Sequence, residues 1–194
     1  MGGLYLSMLA PPGPEASALV PLASGGALAE AIARRWGITI RVKWPNDLLI
    51  PGPPGASRKL GGVIADRIVG PAGPVAVLGV GINVRRPTDG WPPLRPLAAV
   101  ALDEVLDRSP TVAEVESVVA PSLEGVGVEL SSDVGRRAAV DRSRRLLHGV
   151  GRLVLLDGRP AGRIRGLADD GALELEVDGE PMTIRAGDLT VVEP

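Results

Sequence analysis

Lys43-Trp44-Pro45-Asn46-Asp47-Leu48-Leu49-Ile50, followed after a Pro/Gly-rich loop by Arg58-Lys59-Leu60-Gly61-Gly62-Val63-Ile64, is the stretch around which the chain is organised. Its two lysines are the only ones among 194 residues, against nineteen arginines. The only two asparagines are Asn46, inside the stretch, and Asn83, in the next strand-like segment; glutamine is absent. A composition that uses arginine everywhere else but keeps lysine at two nearby points keeps a compact ammonium where a planar guanidinium would behave differently. The four rare polar residues between positions 43 and 83 therefore mark a candidate site.

The local pattern supports this reading. Ile38 to Val42 is a short β-branched strand, and Pro45, which cannot donate to a strand ladder, takes the chain out of the sheet. Asn46 and Asp47 then ride on a turn at a strand end, a position that a rigid scaffold can hold still. Arg58 to Val69 resumes a strand, with Lys59, Gly61 and Val63 expected on one face and Leu60, Gly62 and Ile64 on the other. Two glycines inside a strand weaken it, so a ligand or another backbone is expected to come close there. In Val75 to Val84, Leu78, Val80, Ile82 and Val84 share one face. Gly79, Gly81 and Asn83 share the other, an open shelf with an amide at its edge; the plainer alternative is a bulged strand with a structural asparagine.

Lys43-Trp44-Pro45-Asn46-Asp47-Leu48, then Arg58-Lys59-Leu60-Gly61-Gly62, then Gly79-Val80-Gly81-Ile82-Asn83-Val84, in this order and spacing, resembles the catalytic core of the biotin protein ligases, and the similarity runs over nearly the whole chain. The resemblance implies an α+β fold, a mixed sheet packed with helices of the class II synthetase-like biotin/lipoate ligase type over residues 1–147. A small SH3-like β-barrel is implied over 148–194. It implies ATP-dependent formation of biotinyl-5′-AMP and transfer of the biotinyl group to a lysine of a biotin carboxyl carrier protein. Activating an acid with ATP brings two anions together, and a lysine ammonium aimed at both is suited to that task. By resemblance Lys59 contacts the biotin carboxylate and the phosphate, and Asp47 orients Lys59 or acts on the incoming lysine. Gly61, Gly62, Ile64 and Trp44 would meet biotin, and Lys43, Asn46 and Asn83 the nucleotide, Asn83 reading adenine. Mg²⁺ would arrive on the phosphates rather than in a protein cage.

In the resembled family an Arg/Gly-rich loop and further strands precede the segment matching Gly3 to Ala10. The expectation is therefore a catalytic core whose N-terminal part is absent, through truncation or a mis-called start, or is supplied by a partner chain. Two alternatives accompany the ligase reading: a catalytically incomplete fragment serving as a binding or assembly module, and a lipoate or octanoate transferase of the same superfamily. No helix-turn-helix pattern supports DNA binding. An exposed edge at Gly3 to Ala10 would favour pairing, and hence a homodimer.

The rest of the chain reads as scaffold. Ser17 to Trp36 is helical by its apolar spacing and ends at Gly37, with small residues that let it lie close to a sheet. Leu97 to Leu106 and Thr111 to Glu124 read as helices, the latter opened by a Thr111/Glu114 capping box, with Pro121 kinking or ending it. Asp133 to Leu147 is a helix bearing Arg136, Arg137, Arg142, Arg144 and Arg145, read as a solvated face or, alternatively, as a patch for an acidic partner. After His148, Asp157-Gly158, Asp169-Asp170-Gly171, Asp178-Gly179 and Ala186-Gly187-Asp188 are turn signals between short strands. The absence of cysteine excludes disulfides, a thiol nucleophile and thiolate metal sites, and the single histidine, His148, argues against a histidine-rich zinc centre or a Ser-His-Asp triad. A net charge of −2 gives no global pull towards nucleic acid or anionic membrane, and no apolar run is long enough for a bilayer. A cytoplasmic protein is expected.

Overall fold

The computed structural model describes residues 2–10, 19–53, 56–70, 73–92 and 97–192. Five strands, β1 (Gly3–Ala10), β2 (Arg41–Lys43), β3 (Asp47–Ile50), β4 (Arg58–Gly70) and β5 (Gly73–Asn83), form one sheet in the order β1-β5-β4-β3-β2. Every pairing in it is antiparallel, which corrects the expected mixed sheet. The reason is local: β2 to β5 follow one another with at most seven residues between them, too few for the crossover that parallel neighbours need. Among the described residues, parallel contacts are confined to two isolated bridges, Val42 with Leu147 and Lys59 with Ala99.

Among the described residues of this part, three α-helices, α1 (Val20–Trp36), α2 (Val112–Leu130) and α3 (Asp133–Leu146), accompany the sheet. Leu4, Leu48, Leu60, Val63, Leu78, Val80 and Ile82 of the sheet share one buried core with Leu22, Leu28 and Ile32 of α1 and Val115, Val119 and Leu123 of α2. The small residues of α1 have two uses. Gly25 faces Val42 of the sheet, whereas a Cβ at Gly26 would lie 3.1 Å from Ser143 Oγ and 3.2 Å from Arg142 Nε, so Gly26 admits α3. α1 ends at Gly37 in the left-handed conformation, φ 68°, its N–H bonded to Ala33 O.

Three expectations for the helices change. Residues 98–100 are extended, with Lys59 N–H donating to Ala98 O and Val100 N–H to Lys59 O, and only Leu102–Glu104 makes a 3₁₀ turn. Ala99 to Leu102 are all buried, a continuous apolar run whose periodicity does not separate helix from strand. α2 runs through Pro121 to Leu130, because Val115, Val119, Leu123, Val126 and Leu130 keep one face in the core on both sides of the proline. The arginines of α3 are neither a bare solvated face nor a free basic patch. Arg142 grips Glu129 with two bonds, at 2.8 and 2.7 Å, while Arg144 pairs with Asp141 and Asp169, Arg145 with Glu30, and Arg136 with Asp133.

The capping box of α2 forms as expected: Thr111 Oγ1 accepts from Glu114 N–H, and the Glu114 carboxylate accepts from Thr111 N–H at 2.8 Å. Arg108, 2.5 Å from the same carboxylate, and then the Thr111 bonds hold its pKa at about 2, below the ordinary 4.5. A carboxyl with a depressed folded-state pKa stabilises the fold above its ordinary pKa, and that contribution is lost as the pH falls through the folded value. The Tm advantage of the native protein over Glu114→Gln is expected to be full above pH 4.5 and to shrink as the pH is lowered towards about 2. Thermal melts of both proteins across that range check it; a constant difference would contradict the assignment.

The C-terminal strands β6 (Leu153–Leu156), β7 (Arg159–Leu167), β8 (Leu173–Val177), β9 (Glu180–Ile184) and β10 (Leu189–Val191) make a second antiparallel sheet, order β10-β6-β7-β8-β9. Asp157-Gly158 and Asp178-Gly179 take positive φ at both positions, the two-residue hairpin geometry that their sequence announces. The SH3-like barrel expected here is not found: β9 and β10 are the two edges and do not pair. β10 has three residues, and Glu180 to Thr183 of β9 are all exposed. His148, whose N–H donates to Val42 O at 2.8 Å, stands half-buried where the chain passes between the sheets.

Candidate active site

β2 and β3 form a hairpin in which Lys43 pairs with Asp47, and residues 44–46 make the turn, with a cis Trp44–Pro45 peptide. Asp47 also lies opposite Gly62 of β4. Between Leu48 and Leu49 the β3–β4 register slips, so that Leu48 faces Gly61 while Leu49 faces Lys59. The extra residue, Leu60, is a bulge, and it changes the faces expected from simple alternation. Leu60 and Gly61 both lie inside, and Lys59 comes onto the same open face as Gly62 and Ile64.

The bulge brings three charged groups together. Asp47 Oδ1 is 2.5 Å from Lys59 Nζ, and Asp47 Oδ2 is 3.4 Å from Lys43 Nζ. The Lys43 and Asp47 side chains are 8% and 13% exposed and Lys59 is 39% exposed, so only the Lys59 ammonium reaches well into solvent. Two cations around one carboxylate leave the cluster with a formal charge of +1, suited to an anion.

Lys59, Asp47 and Asn46 stand at one side of an open groove of about 380 Å³. Its bed is Gly62, Val63 and Ile64 of β4 and Gly79, Val80 and Gly81 of β5, and its far wall is Tyr5 and Ser7 of β1. The pairings Tyr5 with Gly81, Ser7 with Gly79 and Ile64 with Gly79 put these residues on the face opposite the core. That face leaves Tyr5, Leu9, Ile64 and Ile68 between 54% and 76% exposed.

The other sequence candidates stand elsewhere. Gly61 is buried, and a Cβ on it would meet Gly81 O at 2.2 Å, so its glycine serves the neighbouring strand. Lys43 lies behind the groove. Trp44 is a core residue, 3% exposed, whose indole N–H donates to Gly171 O at 3.1 Å. Asn83 donates its amide to Lys59 O and Val100 O, at 3.3 and 3.1 Å, clamping the Lys59 segment between β5 and residues 98–100. Tyr5 and Ser7 are groove residues absent from the sequence reading. Their signal was the alternation of β1 together with its pairing to the glycine face of β5, and the pairing is not written in the chain.

The two kinds of glycine make a test. Gly61→Ala forces a methyl into backbone and is expected to cost about 2 kcal/mol, a Tm drop of roughly 4–8 °C. Gly81→Ala places its Cβ 3.7 Å from the Tyr5 ring, an ordinary contact, and is expected to keep stability while filling the groove and weakening ligand binding. Thermal melts and calorimetric titrations on both variants would show the opposite ranking if the roles were reversed.

Residues 2–83 match the family model described as the biotin/lipoate A/B protein ligase family. The chain is 31% identical over 190 residues to the bifunctional ligase/repressor BirA of Escherichia coli, covering 91% of this chain and 54% of that protein. It is 31% identical over 150 residues to the biotin–[acetyl-CoA-carboxylase] ligase of Mycobacterium tuberculosis, covering 76% of this chain and 52% of that one. The chain thus spans about half the length of these curated relatives. The crystal structure of biotin protein ligase from Aquifex aeolicus superposes with a TM-score of 0.82 at 23% identity, over 98% of this chain and 83% of that one. The same protein in complex with biotin and ATP gives 0.77 at 22%, over 100% of this chain and 79% of that one. At that identity the superpositions speak for the fold. The family match over residues 2–83, which include Lys43 to Asn83, and the two curated relatives show that the chain is similar to the biotin/lipoate A/B protein ligases.

Proposed function

We propose that the groove binds biotin and ATP, forms biotinyl-5′-AMP, and passes the biotinyl group to a lysine of a biotin carboxyl carrier domain. The observation that carries this is the Lys59 ammonium, held by Asp47 at 2.5 Å and open to the groove beside a bed of glycines. In the first step an oxygen of the biotin carboxylate attacks the α-phosphorus and pyrophosphate leaves. Lys59 draws the two anions together and stabilises the charge that grows on the phosphoryl oxygens. Gly62, Gly79 and Gly81 let the ligand lie against the sheet, Tyr5 and Ile64 give it apolar walls, and Asn46 stands beside Asp47 on the nucleotide side. In the second step the amine of the acceptor lysine attacks the acyl carbon and AMP leaves. Asp47 keeps Lys59 aimed through both. The Asn83 amide N–H₂ is engaged by backbone, so its Oδ1 is the atom it offers to an adenine amino group.

Mg²⁺, if bound, would be held by the triphosphate and would offset its charge. Among the described residues no three carboxylate or imidazole groups stand together as a metal site, so phosphate and water oxygens would be its ligands. No described helix is long and apolar enough to cross a membrane. The open edge of β1 is where a second copy would pair.

Biotin-dependent exchange of pyrophosphate into ATP tests the adenylation step, and competition between biotin and lipoate tests the substrate. A second reading, a binding or assembly module without chemistry, draws on the exposed Tyr5, Leu9, Ile64 and Ile68. Calorimetry separates the two: a ligase binds both biotin and ATP, and exchange without added partner chain rejects the module.

A further inference from the structure

We infer that Trp44 is a positioning residue through which the C-terminal sheet holds the Asp47–Lys59 pair in place; the inference rests on the activity proposed for that pair. Lys43 lies between two residues that are each tied to the chain beyond position 146. On one side Val42 bridges Leu147 and accepts the His148 N–H at 2.8 Å. On the other, the Trp44 indole donates to Gly171 O at 3.1 Å, a bond that spans 127 positions of sequence. The hairpin that presents Asn46 and Asp47 is thus pinned from outside the first sheet.

The acceptor of that bond cannot drift. Gly171 sits in the β7–β8 turn with φ 79°, its N–H donating to Ala168 O at 3.0 Å. A Cβ on it would lie 2.5 Å from Leu19 Cδ2, so the turn is wedged against the start of α1. Arg144 fixes the other side, through Leu167 O at 2.9 Å and the Asp169 carboxylate at 2.7 Å. Trp44 is buried and lies outside the groove lining, so it has no route to a substrate except through the hairpin. A buried indole N–H needs an acceptor, and this one finds it on the other sheet, so the bond that satisfies the ring also ties the hairpin to that sheet.

The consequence is mechanical. Asp47 is three residues from Trp44 and holds the Lys59 ammonium, and displacements near an ångström cost large factors in rate when charge must be placed at a transition state. Trp44→Phe keeps a buried ring and deletes the N–H. It is expected to lower kcat of biotin-dependent pyrophosphate exchange about tenfold while leaving the KM for biotin within about twofold. Gly171→Ala disturbs the same contact from a residue that touches neither the groove nor the hairpin backbone. The double variant is expected to show no further loss, because both changes break one link.

Two readouts test this. The first is the kinetic cycle of the single and double variants, measured well below each Tm so that unfolding does not enter. The second needs no catalysis: Lys43 and Lys59 are the only lysines, so amine acylation followed by peptide mass spectrometry reports each one separately. Loosening the hairpin is expected to raise labelling of buried Lys43 about threefold or more in Trp44→Phe. A kcat within twofold of native with unchanged labelling overturns the positioning role and leaves the proposed activity standing. Additive kinetic losses overturn it too. If the native protein shows no exchange at all, the ligase reading fails, and the labelling readout still decides whether Trp44 holds the hairpin.

Discussion

Replacing Lys59 by alanine is expected to lower biotin-dependent pyrophosphate exchange by a factor of about 10³, the loss seen when one preorganised donor to a developing oxyanion is removed. Lys59 Nζ is the exposed member of a three-charge cluster at one side of the groove, and no second cation is among the groove-lining residues. Lys59→Arg is expected to remain defective by at least about tenfold. A guanidinium keeps the charge but spreads it over a plane, and the Asp47 carboxylate 2.5 Å away would take it as a two-pronged partner and turn it from the groove. Neither change should disturb the fold much, since the Lys59 side chain is 39% exposed and its backbone is held separately by Ala98, Val100 and Asn83. Initial exchange rates at saturating biotin and ATP, with thermal melts as controls, measure this. Near-native exchange by Lys59→Ala would remove that residue from the mechanism.

The rare residues of the first stretch pointed to the site because chemistry restricts what can stand there: an ammonium, a carboxylate, an amide and several glycines. The sequence was less informative about which face each residue takes. Alternation put Lys59 with Gly61, and the bulge at Leu60 reverses that, because one extra residue flips every side chain that follows. The same limit explains Gly61 and Gly62. Both are glycines in one motif, yet one makes room for the carbonyl of Gly81 and the other opens the groove, and only the pairing of β4 with β5 separates them. Leu97 to Leu106 read as a helix from their apolar content, and residues 98–100 are extended instead because the backbone of Lys59 offers them partners. Turn chemistry was more reliable, since Asp157-Gly158 and Asp178-Gly179 specify their own φ values without help from tertiary contacts. The closure of a barrel depends on whether the last strands, β9 and β10, pair with each other, and that pairing is not written in the turn signals.

Removing the carboxylate of Asp47 is expected to damage the fold as well as the chemistry, and the two costs are separable. Asp47→Asn leaves the Lys43 ammonium, 8% exposed, without the counter-charge it has at 3.4 Å. A buried charge that loses its partner costs about 3 kcal/mol, and for a chain of this size that is a Tm drop of roughly 6–12 °C. The second substitution Lys43→Met removes the stranded charge and fills its space with an apolar chain of similar length, so Lys43→Met/Asp47→Asn is expected to recover most of the lost stability. Replacing a buried ion pair by apolar groups is often neutral where breaking half of it is not. Exchange activity should not return with the stability, because Lys59 is still missing the carboxylate that holds it at 2.5 Å. Melts would give the order native, double variant, then Asp47→Asn, whereas kinetics would place both variants far below native. A double variant as unstable as Asp47→Asn would mean that Lys43 is not the group Asp47 compensates. Recovered exchange in the double variant would mean that Lys59 finds its position without Asp47, and that the carboxylate serves only to neutralise the lysine behind it.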